Sequence, residues 1–208
     1  MEILTSDRIG GIVLCGGQST RMGRPKLSMP FGDETMLYRV VRIAGEVVSP
    51  VVVVAAPGQK LPPLPAETIV ARDEVEGHGP LGGLAAGLAT LRGRVEAAYL
   101  SACDVPLLKF AFVRAVIDAL GTHEIAVPRQ QEFHHPLAAV FRTACEARLQ
   151  EAIAGGQLGL THFVRHSNTR FIDVSELRSV DPELESLQNV NTLSDYEAAL
   201  RAAGFLSA

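Results

Sequence analysis

Three cationic side chains, Arg21, Arg24 and Lys26, lie within six residues of one another, shortly after the glycine pair Gly16-Gly17. Adjacent glycines let a backbone approach a ligand closely and present successive N–H groups to an anion. Cations clustered just downstream suit the charge of a triphosphate. Taken alone, the same string is equally a glycine-rich turn followed by a solvated basic loop. Asp104 follows the apolar run 97–102 and precedes Val105-Pro106. A carboxylate there can hold a hard cation through its oxygens or cap a following helix. Asp73 also follows an apolar run, where it can accept hydrogen bonds from a ligand or close an Asx-turn. Asn189 and Asn191, two apart in an extended stretch, point the same way, so their amides can converge on one ligand. His134-His135-Pro136 precedes another apolar run. For these last residues the plain alternatives are a turn-forming Asn pair and a neutral surface histidine.

These side chains need a frame to carry them. The run 9–15 is apolar and feeds Gly16-Gly17, which predicts a buried strand entering a loop. Residues 51–55, four valines in five between Pro50 and Pro57, predict a second buried strand. Further strands are expected at 67–71, 97–102, 124–127, 137–141 and 170–173, with 59–65 and 128–136 as loops. Helical spacing predicts helices at 36–48, 81–91 (entered at Pro80), 110–120 (stopped by Gly121), 143–154 (stopped by Gly155-Gly156) and 160–166. A last helix is expected at 194–203, capped by Thr192 or Ser194. Strands alternate with helices over the first 130 residues. That order predicts a single α/β domain, a Rossmann-like three-layer α/β/α sandwich around a mostly parallel sheet. Ligands of such sheets bind beyond the carboxyl ends of the strands, and Gly16, Asp73 and Asp104 all follow strand ends.

At 208 residues the chain has the length of one domain. With 47% hydrophobic and 20% charged residues a sizeable core can be buried, and with no Trp it must be built from Val, Leu, Ile and Ala. A net charge of -4 argues against a nucleic-acid backbone as the main partner. Cys15, Cys103 and Cys145 show no CxxC or Cys/His ligand spacing, which argues against zinc and against a disulfide framework. Glu2 and Asp7 interrupt the start of the chain, and no apolar run reaches the roughly 18 residues of a membrane span. A cytoplasmic protein without a membrane partner is expected. No GxxxxGK[ST] string occurs. The GxGxxG at 77–82 contains Pro80, stands several residues past its strand and lacks the acidic residue after the next one, so it is coincidental.

The string Leu14-Cys15-Gly16-Gly17-Gln18-Ser19-Thr20-Arg21-Met22-Gly23-Arg24-Pro25-Lys26 resembles the Leu-x-Gly-Gly-x-Ser-x-Arg-Met-Gly-x-x-Lys signature of sugar-phosphate-type nucleotidyltransferases. In this version it is similar to that of the molybdenum cofactor guanylyltransferases. The likeness continues in order through Asp73, Gly79-Pro80-Leu81-Gly82-Gly83, Cys103-Asp104-Val105-Pro106, His135-Pro136-Leu137 and Asn189-Val190-Asn191-Thr192. Cys15 stands where the family has a small alanine.

The resemblance implies a nucleotide-diphospho-sugar transferase type of fold and transfer of GMP from GTP to the terminal phosphate of molybdopterin, with Mg²⁺ as cofactor. It implies one domain over 1–208, with a nucleotide-binding half at about 9–130 and an acceptor-binding half at about 131–208. Lys26, Arg21 and Asp104 would carry catalysis, Asp104 holding the metal. Leu14, Cys15, Gly16, Gly17, Lys26, Asp73, Pro80, Leu81, Gly82 and Asp104 would bind the nucleotide. His135, Asn189 and Asn191 would line the acceptor. The glycine strings are those of guanine-using members; cytidine-using relatives carry Leu-Ala-Ala-Gly and a Ser-rich helix start. Transfer from CTP, a sugar-phosphate acceptor, or a non-catalytic nucleotide-binding regulatory module are the alternatives. Transient contacts with other cofactor-synthesis proteins are also expected.

Overall fold

A computed structural model describes residues 8–15, 26–73, 78–157 and 159–206. The chain runs through β1 (Ile9–Leu14), a 3-10 turn at Lys26–Ser28, a small hairpin of β2 (Pro30–Phe31) and β3 (Glu34–Thr35), then α1 (Met36–Gly45) and β4 (Val51–Ala55). Next come β5 (Ile69–Arg72), α2 (Gly79–Leu91), β6 (Ala97–Ala102), α3 (Phe110–Asp118) and β7 (Ile125–Gln130). β8 (Phe133–His134), β9 (Ala138–Arg142), α4 (Cys145–Ala154), α5 (Leu160–Arg165) and β10 (Thr169–Asp173) follow. The chain closes with α6 (Val174–Leu177), a 3-10 turn at Glu185–Leu187 and α7 (Leu193–Ala202).

β1 and β4 are apolar along their whole length, β6 is apolar but for Ser101, and every residue in the three is buried. Strands of that kind need cover on both faces, and they take the centre of the sheet. Its order is β10-β7-β9-β6-β1-β4-β5, with β8 folded back on β7. β1 pairs in parallel with both β4 and β6, setting Leu14 opposite Val54 on one side and Ala102 on the other. Beyond β6 the direction changes: β9 lies antiparallel between β6 and β7. The sheet is therefore mixed but mostly parallel, as the alternation of elements predicts.

One face packs under α1, α3 and α6 through Leu37, Val40, Phe112, Val113, Val174 and Leu177. The other packs under α2, α4 and α5 through Leu84, Leu88, Leu149 and Phe163. α2 lies close on β1 because its interior is small: a Cβ on Gly87 would stand 2.7 Å from Cγ2 of Ile12. A third, smaller cluster joins Met29, Phe31, Met36, Leu107, Val190 and Ala199, and fastens α7 beside the β2–β3 hairpin.

The boundaries differ from expectation in instructive places. α1 starts at the cap Thr35, whose hydroxyl accepts from Tyr38 N at 3.2 Å, and ends at Gly45 rather than 48. The segment expected as a loop at 128–136 instead contains the end of β7 and all of β8, turning at Gln131 with φ of 55°. α6 was not signalled by hydrophobic spacing; Asp173 and Glu176 build it as a capping box over four residues. α7 takes Thr192, not Ser194, as its cap, with Asp195 completing the box.

Candidate active site

Parallel strands deliver their carboxyl ends to one edge, and here the exits of β1, β5 and β6 stand there together. β6 ends two residues before Asp104. That aspartate caps no helix, because α3 begins only at Phe110 with Lys109 at its cap. Instead its backbone carbonyl accepts Val190 N–H at 2.8 Å, which docks the C-terminal stretch onto the β6 exit. Val190 is 2% exposed and pegged in the third cluster. Because side chains alternate along an extended chain, burying Val190 turns both asparagines outward to the site. Asn189 Nδ2 donates to Asp104 Oδ1 at 2.7 Å. Asn191 Oδ1 accepts Lys26 Nζ at 2.6 Å, and the same ammonium lies 3.2 Å from Asp104 Oδ2.

Each member is held from behind. Lys26 opens the 3-10 turn whose next residue, Leu27, is buried in the core. Asp195 Oδ2 accepts the backbone N–H groups of Asn191 and Thr192 at 2.9 and 2.8 Å, fixing the asparagine stretch to the start of α7. Those bonds hold the Asp195 carboxyl below the ordinary range. Lys26 and Asp104 are half-buried, with about one sixth of each side chain exposed (16% and 17%), so their attraction is screened less than at an open surface.

Asp73 extends β5, its N–H bonded to Ala55 O at 3.0 Å. A Cβ on Gly82 would stand 2.6 Å from Cβ of His78 and 3.0 Å from Asp73 Oδ2, so glycine lets the start of α2 close on this carboxylate. Pro80 is exposed beside it, while the Leu14 and Leu81 side chains are buried. His135 reaches the same edge from the other half. Ser101 pairs with Ala138 at the end of the β6–β9 ladder, and His135 stands just beyond it, its N–H bonded to Pro128 O at 2.9 Å and its carbonyl accepting Ala138 N–H at 3.0 Å. Burial, reinforced by His134, pushes the His135 imidazole below its ordinary pKa and keeps it neutral near pH 7. Its Nε2 is buried without a hydrogen-bond partner among the described residues. His134, by contrast, packs under Phe171 with ring centroids 4.9 Å apart and belongs to the wall.

Gly16, Gly17, Arg21 and Arg24 lie outside the described residues. Gln59, which the sequence offers only as part of a proline-rich loop, proves to be a strut. Its Nε2 donates to Cys15 O and its Oε1 accepts Ala56 N–H, both at 2.9 Å. Arg72 clamps the same loop through Ala56 O and Gln59 O. An open groove of about 720 Å³ lies there, lined by Pro57, Gly58, Gln59, Lys60, Leu61 and Arg72. No spacing signal marks Gln59, since its partners are backbone atoms 3 and 44 residues away.

Among the described residues no three His, Cys, Asp or Glu side chains gather as a metal cage. The Asp104 carboxylate with the Asn191 amide oxygen offers oxygen donors that suit a hard cation completed by phosphates and water.

The fold and this edge define a nucleotidyltransferase. A molybdopterin-guanine dinucleotide biosynthesis protein A from Archaeoglobus fulgidus has the same fold, with a TM-score of 0.78 over 95% of this chain and 100% of its own, at 20% identity. A Mycobacterium tuberculosis protein crystallised with manganese matches with a TM-score of 0.64 over 94% of this chain and 99% of its own, at 21% identity. Residues 11–171 match the MobA-like NTP transferase domain, and the chain belongs to that family. A probable molybdenum cofactor guanylyltransferase of Mycobacterium avium is 36% identical over 203 residues, 95% of this chain and 98% of the relative.

Proposed function

We propose that this protein transfers GMP from GTP to the terminal phosphate of molybdopterin, forming the guanine dinucleotide of the cofactor and releasing pyrophosphate. The observation that carries the reading is the convergence of Lys26, Asp104, Asn189 and Asn191, residues up to 165 apart in sequence, on one strand edge. The named activity of the Mycobacterium avium relative supports the choice of base and acceptor.

In the reaction an acceptor phosphate oxygen bonds to the α-phosphorus of GTP, the α–β anhydride bond breaks, and pyrophosphate leaves with the electron pair. A phosphate monoester is largely ionised at neutral pH, so no side chain need remove a proton; positioning and charge neutralisation carry the step. Lys26 and Arg21 neutralise nucleotide phosphates. Asp104, oriented by Asn189, holds Mg²⁺, which when bound supplies further charge neutralisation. Leu14 to Gly17 and Pro80 to Gly82 offer backbone groups to the nucleotide, and Asp73 accepts from the base or ribose. His135, Asn189 and Asn191 face the acceptor. No helix among the described residues is long and apolar enough to cross a membrane, and the substrates are those of a cytoplasmic enzyme in transient contact with other cofactor-synthesis proteins.

The test is anaerobic pyrophosphate release with Mg²⁺ and molybdopterin, GTP against CTP, with Asp104→Ala as control. Release with GTP alone, abolished in Asp104→Ala, is expected. Release with CTP alone overturns the base, and full turnover in Asp104→Ala overturns the metal ligand. Silence with both nucleotides overturns the acceptor.

A further inference from the structure

Two thiols meet at the foot of this edge. β1 and β6 pair in parallel up to Leu14 and Ala102, and Cys103 N–H continues the ladder to Leu14 O at 3.1 Å. Cys15 and Cys103 are therefore the next pair in register. Both project to the face opposite Leu14, where they join the layer under α1 and α3. Hydrogen-bonded strands stand about 4.8 Å apart, inside the roughly 4.4–6.8 Å between Cα atoms that a disulfide spans. Cys15 is buried, whereas Cys103 is partly exposed. Cys145 is buried on the other face of the sheet, with Sγ 3.8 Å from Glu124 O.

We propose that Cys15 and Cys103 are a reversible disulfide site, closed by peroxide and opened by a dithiol, that shuts off the adjacent active site. The Cys103 sulfur attacks one peroxide oxygen, the O–O bond breaks, and Cys103 becomes a sulfenic acid as the first water leaves. The Cys15 sulfur then displaces that hydroxyl; the S–S bond forms and the second water leaves with the Cys15 proton. Two thiols are oxidised and one peroxide is reduced to two waters. A dithiol reverses the link by thiol–disulfide exchange. The bond ties the residue before Gly16 to the residue before Asp104, and so removes the freedom of the β1 and β6 exits to shift relative to each other as the site fills.

The test treats the reduced full chain with hydrogen peroxide, alkylates the remaining thiols after unfolding, and maps the peptides by mass. The expected result is one intrachain Cys15–Cys103 link, a mass lower by two hydrogens, full reversal by dithiothreitol, and Cys145 still alkylated. Cys145→Ser should link like the parent and Cys103→Ser should not. Complete alkylation of Cys15 and Cys103 after peroxide, sulfinic acid at Cys103 without a link, or a link between chains overturns the site. Shut-off rests on the proposed activity and is read separately, as pyrophosphate release by each sample relative to its own untreated control. Turnover should fall with the linked fraction and return with dithiothreitol; full linkage with unchanged turnover overturns shut-off and leaves the mapped link standing.

Discussion

Lys26 does two jobs that pull against each other. Its ammonium rests 3.2 Å from Asp104 Oδ2 and 2.6 Å from Asn191 Oδ1, on the side of the carboxylate where a divalent cation would bind. It neutralises Asp104; on the proposed mechanism, the phosphates of a bound nucleotide would draw it away. Replacing it by a neutral side chain should therefore move two measurements in opposite directions. Lys26→Met should bind Mn²⁺ severalfold more tightly without nucleotide, on the scale of the roughly 0.5–1 kcal/mol of a partly exposed pair. Its turnover should fall by about 10² or more, as expected when a charge-stabilising donor is lost. A Mn²⁺ titration followed by electron paramagnetic resonance decides the first point, and unchanged or weaker affinity refutes it. Asn189 acts on the same carboxylate from the other oxygen, at 2.7 Å. Asn189→Ala leaves Oδ1 free to rotate away and should weaken Mn²⁺ binding where Lys26→Met strengthens it. If both substitutions shift the affinity in one direction, the two side chains do not hold opposite sides of Asp104.

The asparagine stretch is delivered by the element before it, and that element is secured by one buried charge. Asp181 is fully buried, its Oδ1 2.8 Å from Lys109 Nζ and its Oδ2 accepting Ser186 N–H at 2.8 Å; Lys109 also reaches Glu185 at 2.7 Å. Burial alone would push the Asp181 carboxyl up, but Lys109 and the Ser186 contacts outweigh it and hold it below its ordinary 3.8. Asp181 and then Glu185 raise Lys109 above its ordinary 10.5. A lowered carboxyl stabilises above its unfolded pKa and loses that stability as pH falls through the folded one. A raised ammonium stabilises below its unfolded pKa and loses that stability as pH climbs through the folded one. The pair thus gives a plateau from about pH 4 to about pH 10. Lys109→Met should cost about 2–3 kcal/mol, less than for a fully enclosed pair because the lysine is 36% exposed. It should also invert the acid slope. With no cation beside it, buried Asp181 rises above 3.8, so melting temperature should increase from pH 7 toward pH 4 instead of staying level. A level profile in the variant would show that Asp181 is not held by Lys109. None of this was legible in the sequence, because Lys109 and Asp181 are single charges on separate elements. The buried valine runs and the strand exits were legible, since composition and turn residues report them locally. Pro128 masked the end of β7: a proline withholds one ladder N–H and argues against a strand interior, yet here its carbonyl accepts His135 N–H at 2.9 Å and the strand continues.

At the scale of the molecule, one sheet runs through both the nucleotide half and the acceptor half that the resemblance implies. β9, from the second half, inserts between β6 and β7 of the first, pairing Ala97 to Ser101 with Arg142 to Ala138. That antiparallel insertion is a pairing between distant segments, which local periodicity does not encode. The C-terminal stretch returns still further. Val190 bonds to the β6 exit, the Tyr196 hydroxyl donates to Pro30 O, and Phe205 packs edge-on against Phe31 at 5.4 Å. The last elements thus close on the first, and the cluster of Lys26, Asp104, Asn189 and Asn191 is complete only when both ends are folded. The chain should therefore unfold in urea as one cooperative unit. Tyr99 lies fully buried at the centre of the sheet and Tyr196 on α7, so near-ultraviolet circular dichroism reports both regions. Its transition should coincide with that of the helices in the far ultraviolet. Tyr196→Phe should move both curves together to lower urea, by about 1 kcal/mol for the lost hydrogen bond. If the near-ultraviolet signal instead splits, with α7 released before the sheet, the C-terminal stretch is a separately folding strap, and Asn191 would join Lys26 only after the sheet has formed.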